Sequence, residues 1–347
     1  MARVKTRILI ISDTHAHIPA LARAEDELTL ASDFKIATTG FRAPLPEADV
    51  VLHCGDLTTG SAPYEYQRTI NMLRALRAPL KIVIPGNHDR CLDEAFWCRK
   101  PSRGELYAGT HDPDHRTEAL EILQEAKADG VVYIGQEGVY SFPLRNGAVL
   151  KVFASPHTPE YGVWGFQYDP EKGHEFPIPA GIDVAMTHGP PRDVLDLAGF
   201  NLPQYGVEAT RAGCPDLFTA VAKARPQIHC FGHIHEAWGA YRAHWKQKFD
   251  STQKHIAAEE AIDKHTSRSV VALADTKPIT PVDPPATEAQ AAQLLEWSKQ
   301  QGVHIDLEDG RKGEETLFIN AAIQGFLEKP SHLPFVVDIM LDEAVDS

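Results

Sequence analysis

The first half of the chain alternates short apolar runs with longer segments of helical spacing. Arg7–Ile11, Asp49–His53 and Leu80–Ile84 each have the length and composition of a buried strand. Between the last two, Tyr64–Leu76 carries apolar residues at helical spacing, and Thr117–Ala128 repeats that pattern. This alternation of strand and helix predicts an α/β fold.

From residue 130 onward the pattern becomes richer in strands, which Gly or Asn-Gly turns separate. The predicted strands are Val131–Ile134, Val139–Phe142, Ala148–Phe153, Gly181–Thr187, Ile228–Phe231, Thr316–Ala321 and Phe335–Met340. Two packed sheets would accommodate this number of strands. We therefore expect two packed mixed β-sheets flanked by helices.

Two segments interrupt this pattern, and we expect them to be insertions in a single domain that spans residues 1–347. Residues 23–46 have no clear strand, and residues 244–315 are polar and include the Pro-rich run Lys277–Pro285. Thr287–Gln301 is a predicted helix within the larger segment. A surface excursion between two core strands is the favoured interpretation; a lid or a partner-binding arm is the alternative.

Composition restricts the function classes. The chain is 43% hydrophobic and 24% charged, as in a globular protein, and its net charge of −14 disfavours nonspecific binding to nucleic acid or to an anionic membrane. An anionic substrate remains compatible, because bound cations would invert the local field. The longest apolar runs have strand length, and the basic N-terminus lacks the apolar stretch of a secretory signal. We therefore predict cytoplasmic residence, with the five cysteines reduced.

Five short stretches of Asp, Asn and His each follow a predicted strand. They are SDTH at Ser12–His15, GD at Gly55–Asp56, GNHD at Gly86–Asp89, THGPP at Thr187–Pro191 and GHIH at Gly232–His235. Each motif is weak by itself, but their joint occurrence in this order is specific. Since ligands gather at the carboxyl ends of strands in open α/β sheets, the five can converge.

These residue types suit a pair of divalent metals that hydrolyses a phosphate ester. Two metals roughly 3.5–4 Å apart neutralise charge on the phosphoryl oxygens and provide hydroxide at neutral pH for the attack. Such a centre needs one bridging carboxylate and terminal ligands on each metal. Imidazole and carboxylate ligands favour Mn, Fe or Zn. Cys54 and Cys230 lie within predicted strands and are expected in the core.

The five motifs resemble those of the calcineurin-like metallophosphoesterase superfamily over about residues 7–236 and the closing strands. Ser155–Gln167 (SPHTPEYGVWGFQ) and the run CFGHIHEAWG are similar to the branch of the metallophosphoesterase-domain proteins. The resemblance implies an αββα sandwich and two bound divalent metal ions. Asp56 is followed by Leu-Thr-Thr-Gly, not by the Asp-Arg-Gly of calcineurin-type protein phosphatases, so that class is disfavoured.

The resemblance also implies a role for each motif residue. Asp13, His15 and His235 would bind the first metal, Asn87, His188 and His233 the second, and Asp56 both. His88 would stabilise the transition state or protonate the leaving oxygen, and Asp89 would orient His88. His53 and His229 are expected to be structural.

Six further side chains flank the motifs, and each has two open interpretations. The aromatic ones are expected either to stack on a substrate or to pack in the core; they are Tyr161, Trp164, Phe166 and Trp238. The cationic ones, Arg90 and Arg192, are expected either to contact an anionic group or to form surface ion pairs.

The leading function is a phosphodiesterase acting on a small molecule or a nucleotide, cyclic nucleotides included. The expected partner is thus a small phosphoester, with neither a membrane nor a nucleic-acid polymer. The alternatives are a phosphomonoesterase, a metal-binding scaffold with low turnover, and a metallohydrolase of another bond type.

Overall fold

The computed structural model describes residues 2–21, 40–99, 112–199, 208–273, 287–308, 310–325 and 328–344. Most of the predicted insertion 23–46 and the Pro-rich run Lys277–Pro285 lie outside these residues. The strands are Arg3–Ile11 (β1), Ala20–Leu21 (β2), Arg42–Ala43 (β3), Val50–His53 (β4), Leu80–Val83 (β5), Val131–Tyr133 (β6), Gly138–Pro143 (β7), Val149–Ser155 (β8), Thr158–Pro159 (β9), Gln167–Tyr168 (β10), Val184–Thr187 (β11), Leu197–Ala198 (β12), Thr210–Arg211 (β13), Ile228–Phe231 (β14), Gly239–His244 (β15), Arg268–Ala272 (β16), Val303–Asp306 (β17), Glu315–Asn320 (β18) and Phe335–Asp342 (β19).

The helices of the described residues lie mostly between strands. They are Pro63–Arg74 (α1), Glu94–Trp97 (α2), Asp114–Ala126 (α3), Pro215–Ala224 (α4), Ala258–Ala261 (α5) and Glu288–Lys299 (α6). Short 3-10 turns occupy Arg90–Leu92, Lys127–Asp129 and His235–Ala237. Among the described residues, no helix combines the length and the apolar character that crossing a membrane requires.

Two mixed sheets form the centre of the fold. The first has the order β17-β19-β1-β4-β5-β6, in which β1, β4, β5 and β6 run parallel and β19 is antiparallel to β1. The second has the order β16-β15-β18-β14-β11-β8-β7, with β18, β14, β11 and β8 parallel. Antiparallel strands thus lie at the edges of the second sheet, where β7 pairs with β8 and β15 with β18.

Apolar side chains fill the space between the sheets and cover both outer faces. Inner residues such as Ile10, Leu52 and Met186 belong to one buried cluster, which also holds Cys54 and Cys230. The outer face of the first sheet packs against α1 and α3, and that of the second against α4. The predicted fold class, two packed mixed sheets flanked by helices, is confirmed.

The described part of residues 244–315 is built into both sheets, so a surface excursion is too simple an account of it. β17 forms one edge of the first sheet, and β16 forms one edge of the second. Leu294 and Trp297 of α6 pack against the apolar cluster between the sheets. β17 pairs in parallel with β19, and its alternate residues Val303 and Ile305 are buried, so one face of this edge strand is covered. That the whole chain forms one domain stays a prediction.

Candidate metal centre

The five predicted motifs converge where strands of the two sheets end. SDTH follows β1, GD follows β4, GNHD follows β5, THGPP begins at the last residue of β11, and GHIH follows β14. Backbone hydrogen bonds join neighbouring motifs within each sheet: the amide of Asp13 donates to the carbonyl of Gly55, and that of Gly232 to the carbonyl of His188. Between the sheets, the amide of His233 donates to the Asp13 carboxylate at 3.0 Å. The strand ends therefore hold the motifs against one another.

One group of donors comprises Asp13, His15, Asp56 and His235, whose ligand atoms all lie within 4.8 Å of one another. Nε2 of His235 is 3.3 Å from Oδ1 of Asp13, and Nε2 of His15 is 3.7 Å from Oδ2 of Asp56. The two imidazole Nε2 atoms are 3.4 Å apart. Two carboxylates and two imidazoles thus face a common point.

A second group is centred on Asn87. Its Oδ1 is 2.8 Å from Nε2 of His188 and 2.7 Å from Nδ1 of His233. Nε2 of His188 is also 3.5 Å from Oδ1 of Asp56. Asp56 therefore lies between the groups, with Oδ2 facing His15 and Oδ1 facing His188. This is the placement that a shared carboxylate requires.

Hydrogen bonds fix which ring nitrogens face the centre. The Nδ1–H of His15 donates to the carbonyl of Thr58 at 3.1 Å, and the Nδ1–H of His188 donates to the carbonyl of Cys54 at 2.9 Å. A carbonyl can only accept, so each Nε2 keeps its lone pair for a ligand bond. The Asn87 amide donates to the Tyr161 hydroxyl at 2.9 Å, which turns its oxygen inward.

The backbone at several of these positions is strained. Asp13, His15, Asp56 and His233 have φ angles of 50°, 44°, 53° and 69°, in the left-handed region that side chains other than glycine disfavour. Such conformations cost about 1–3 kcal/mol each and persist only where surrounding structure enforces them. Their concentration at one place is typical of a functional site.

Glycine is required at two motif positions because another segment of the chain approaches its backbone closely there. A Cβ on Gly232 would collide with the Asp13 carboxylate and the Ser12 side chain, and one on Gly86 would collide with Asp56 and His188. The glycines of GHIH and GNHD therefore make room for the ligand side chains.

The electrostatics of the centre favour a bound cation. Asp13, His15, Asp56, Asn87 and His188 are all buried. Burial, and then the charge of neighbouring Asp13, raise the pKa of Asp56 well above its ordinary value. Burial is also the main reason that the pKa of His15 lies well below its ordinary value, so its ring is neutral. Buried carboxylates, neutral imidazoles and an amide oxygen form a donor set that fits divalent Mn, Fe or Zn.

His88 lies beside the two groups and uses its polar atoms differently. Its Nδ1–H donates to the carbonyl of Thr59 at 2.8 Å, and its backbone amide donates to Oδ1 of Asp56 at 2.8 Å. The ring centroid is 4.8 Å from that of His15 and 4.2 Å from that of Trp164. Because Nδ1 is occupied, Nε2 is the ring atom that remains for a substrate.

The expectation that Asp89 orients the His88 ring needs correction. The Asp89 carboxylate accepts hydrogen bonds from the amides of Leu57, Thr58 and Gly86, and from the Thr58 hydroxyl, at 2.8–3.0 Å. These donors satisfy a buried carboxylate better than one imidazole would, and burial raises the pKa of Asp89 to about 6. Asp89 thus acts on His88 indirectly, by holding the loop whose Thr59 carbonyl binds the ring. No sequence pattern pointed to Thr58 or Thr59.

The flanking aromatic side chains divide into two pairs. Phe166 and Trp238 are buried in the core, where the Trp238 indole N–H donates to the carbonyl of Leu333. Tyr161 is 58% exposed but reaches Asn87, and Trp164 contacts His88. Only the second pair borders the centre.

The two arginines also differ in their surroundings. The Arg90 guanidinium carbon lies 5.6 Å from the centroid of the Trp164 ring, whereas Arg192 donates to the carbonyl of Arg211. The two remaining motif-adjacent histidines, His53 and His229, are buried and hydrogen-bond the Thr14 and Thr187 hydroxyls.

A family model for calcineurin-like phosphoesterases matches residues 6–237. The chain belongs to this family. It is 28% identical over 240 residues to metallophosphoesterase domain-containing protein 1 of Homo sapiens, covering 67% of this chain and 62% of that protein. The predicted family and branch are therefore confirmed.

Two further similarities concern proteins of other names. Probable rhamnogalacturonate lyase C of Emericella nidulans is 32% identical over 206 residues, covering 58% of this chain and 16% of that protein. The chain spans less than two thirds of the length of both the human protein and the Emericella protein. The structure of purple acid phosphatase PPD1 from yellow lupin (Lupinus luteus) seeds aligns with 97% of this chain and 54% of its own, at a TM-score of 0.38 and 13% identity.

Proposed function

We propose that this protein is a phosphodiesterase for small molecules, nucleotides included, and that it uses two divalent metal ions. The observation that carries the proposal is the position of Asp56 between two groups of donors, with His88 beside them. In this proposal Asp13, His15 and His235 hold one ion, Asn87, His188 and His233 hold the other, and Asp56 holds both. Bound Mn, Fe or Zn would supply charge neutralisation of the phosphoryl group and hydroxide at neutral pH.

The His88 ring is proposed to act on the leaving oxygen. Its Nδ1–H is engaged with the Thr59 carbonyl, so the ring is held in one orientation with Nε2 directed to the reacting group. In its imidazolium form the ring would pass the Nε2 proton to the departing oxygen, as general acid catalysis requires, and remain neutral with its Nδ1–H still bonded to Thr59. Asp89 supports this role at a distance, because it holds Thr58 beside Thr59.

The charge of the centre supports a diester rather than a monoester. Two carboxylates, Asp13 and Asp56, are among the side chains assigned to the two ions, and they would offset half of the positive charge of two divalent metals. A phosphodiester carries one negative charge, whereas a monoester phosphate carries nearly two at neutral pH. Fewer cationic side chains are needed to bind the diester.

The rim of the centre supports an aromatic or heterocyclic leaving group. Trp164 presents a partly exposed ring next to His88, and Tyr161 is exposed above Asn87. Planar groups stack on such side chains. This favours nucleotides, cyclic nucleotides included, over phosphoesters of small aliphatic alcohols.

Rates with matched aryl substrates test the proposal. With Mn²⁺, the purified protein should hydrolyse bis(p-nitrophenyl) phosphate with a higher kcat/KM than p-nitrophenyl phosphate. A cyclic nucleotide is the third substrate, since it carries both a diester and a base. A higher kcat/KM for the monoester would contradict the diester preference, and no hydrolysis of any of the three would contradict the proposed activity.

Trp164→Ala should weaken the binding of a nucleotide or aryl diester. Stacking of one base contributes about 1–3 kcal/mol, so we expect KM to rise about 5- to 150-fold while kcat changes little. Steady-state kinetics measure both. Val163→Ala is the matched control, because Val163 is the exposed neighbour on the same loop. An unchanged KM in the Trp164 variant would place the substrate elsewhere.

Localisation and partners also belong to the proposal. The net charge of −14 supports a small phosphoester as the partner rather than a nucleic-acid polymer or an anionic membrane. Cytoplasmic residence stays a prediction.

A further inference from the structure

Glu137, His157 and His174 form a second cluster of ligand-type side chains that shares no residue with the centre described above. Their donor atoms all lie within 4.8 Å of one another. Nε2 of His174 is 2.9 Å from Oε2 of Glu137, and the two imidazole centroids are 4.7 Å apart. The residues come from three segments: the turn before β7, the loop after β8 and the loop after β10.

The surrounding structure holds these side chains in place. The His174 ring stacks on Tyr168, with centroids 5.0 Å apart, and meets Phe176 edge-on at 4.6 Å. Its backbone amide donates to Asp216, and that of His157 donates to the Ser155 hydroxyl oxygen. The side chains of His174 and Glu137 are 23% and 16% exposed. The cluster is thus ordered by packing and still reachable by an ion.

We propose that Glu137, His157 and His174 bind one divalent transition-metal ion, for which Zn²⁺ is the best fit. Two imidazoles and one carboxylate are a common protein ligand set for zinc and leave a further position for water. Zinc–ligand bonds of about 2.0–2.1 Å place tetrahedral ligand atoms about 3.3 Å apart. Binding would therefore require small side-chain shifts, and Nε2 of His174 would give up its proton to solvent, which leaves a neutral ring protonated at Nδ1.

Such an ion would brace the loop that borders the phosphoesterase centre. His157 lies near the start of the loop that carries Tyr161 and Trp164, and Tyr168, at its far end, stacks on His174. A metal that joins His157 to His174 ties both ends of this loop together. The site is thus structural, in contrast to the two ions assigned to hydrolysis.

A neighbouring histidine–carboxylate pair provides a matched comparison, although its carboxylate, Asp216, also accepts a hydrogen bond from the His174 amide through Oδ2. Nε2 of His255 is 2.9 Å from Oδ1 of Asp216, the same separation as in the His174–Glu137 pair. Asp216 and His255 do not belong to either metal-competent group of the described residues. If a paired histidine and carboxylate alone retained zinc, this pair would retain it as well.

The test counts Zn²⁺ per folded chain. After equilibrium dialysis against Zn²⁺, elemental analysis should find about one more ion in the wild type than in Glu137→Gln or His174→Gln. His255→Gln should retain the wild-type number. Equal numbers in the wild type and both cluster variants would overturn the proposal. Phosphodiesterase rates are measured separately, so an inactive protein that still shows this difference would contradict the proposed function and not the zinc site.

A measurement on the wild type alone keeps the test decisive if the variants do not fold. Zn²⁺ should shift the imidazole ¹⁵N resonances of His157 and His174 and leave those of His255 in place. Unshifted His157 and His174 resonances at Zn²⁺ concentrations that saturate the protein would overturn the proposal.

Discussion

Replacement of Asp56 by Asn should lower the phosphoesterase kcat by at least about a thousandfold and abolish binding of the metal pair. Asp56 is the residue whose two carboxylate oxygens face different donor groups, His15 on one side and His188 on the other. Loss of one bridging charge affects both ions, and metal ions contribute several kcal/mol of transition-state stabilisation, with each 1.36 kcal/mol a factor of ten in rate.

The same variant should leave the metal-free fold intact. The Asn amide oxygen can still accept the hydrogen bond from the His88 amide. In addition, Asp56 is buried near Asp13 and Asp89, whose charges raise its pKa, so removing its charge relieves repulsion. We expect the thermal midpoint of metal-free Asp56→Asn to equal or exceed that of the metal-free wild type.

Calorimetry with and without Mn²⁺ measures this contrast. An ion at a thousand times its Kd stabilises the folded wild type by about 4 kcal/mol, and Asp56→Asn should lose that response. Asp129→Asn is the control, since Asp129 forms a surface ion pair with Arg74. Normal Mn²⁺ binding and activity in Asp56→Asn would contradict the shared-ligand assignment.

His88→Ala should lower kcat by about 10²–10⁴-fold, the usual contribution of a general acid, while leaving metal binding unchanged. The reason is geometric: Nδ1 of His88 binds the Thr59 carbonyl, and the ring lies beside the donor groups rather than within them. Metal content by elemental analysis and steady-state kinetics are the two measurements.

Two companion variants sharpen this prediction. His88→Gln retains a polar side chain of similar reach but cannot deliver a proton at neutral pH, so it should be as inactive as His88→Ala. His304→Ala removes an exposed histidine on β17 and should behave as the wild type. A loss of bound metal in both His88 variants would instead make this residue a ligand.

Much of the fold could be predicted because a buried strand is visible in the sequence as a short run of mostly apolar neighbouring residues. The runs Val50–His53 and Ile228–Phe231 are buried at all four positions and are apolar apart from one histidine in each, a composition typical of central parallel strands. The edge strands β16 and β17 were not predicted. Burial does not alternate along β16, and along β17 it alternates over only four residues within a polar segment.

The candidate ligands could also be predicted, since each motif follows a strand and carries its own residue types. The partners of Asp89 could not, because its donors, Leu57 and Thr58, are more than thirty positions away. The same limit applies to the cluster of Glu137, His157 and His174. Its members come from three loops without a common motif.

The sequence by itself determined the order along the chain of most parallel strands in both sheets, the family and the seven proposed ligands, because apolar runs and short motifs are properties of neighbouring residues. Tertiary structure decided which atoms face each other. It placed Asp56 between two donor groups, turned Asp89 away from His88, brought Tyr161 and Trp164 to the rim and buried Phe166 and Trp238. These outcomes depend on how two sheets and their loops pack, and contacts between distant segments leave no periodic trace along the chain.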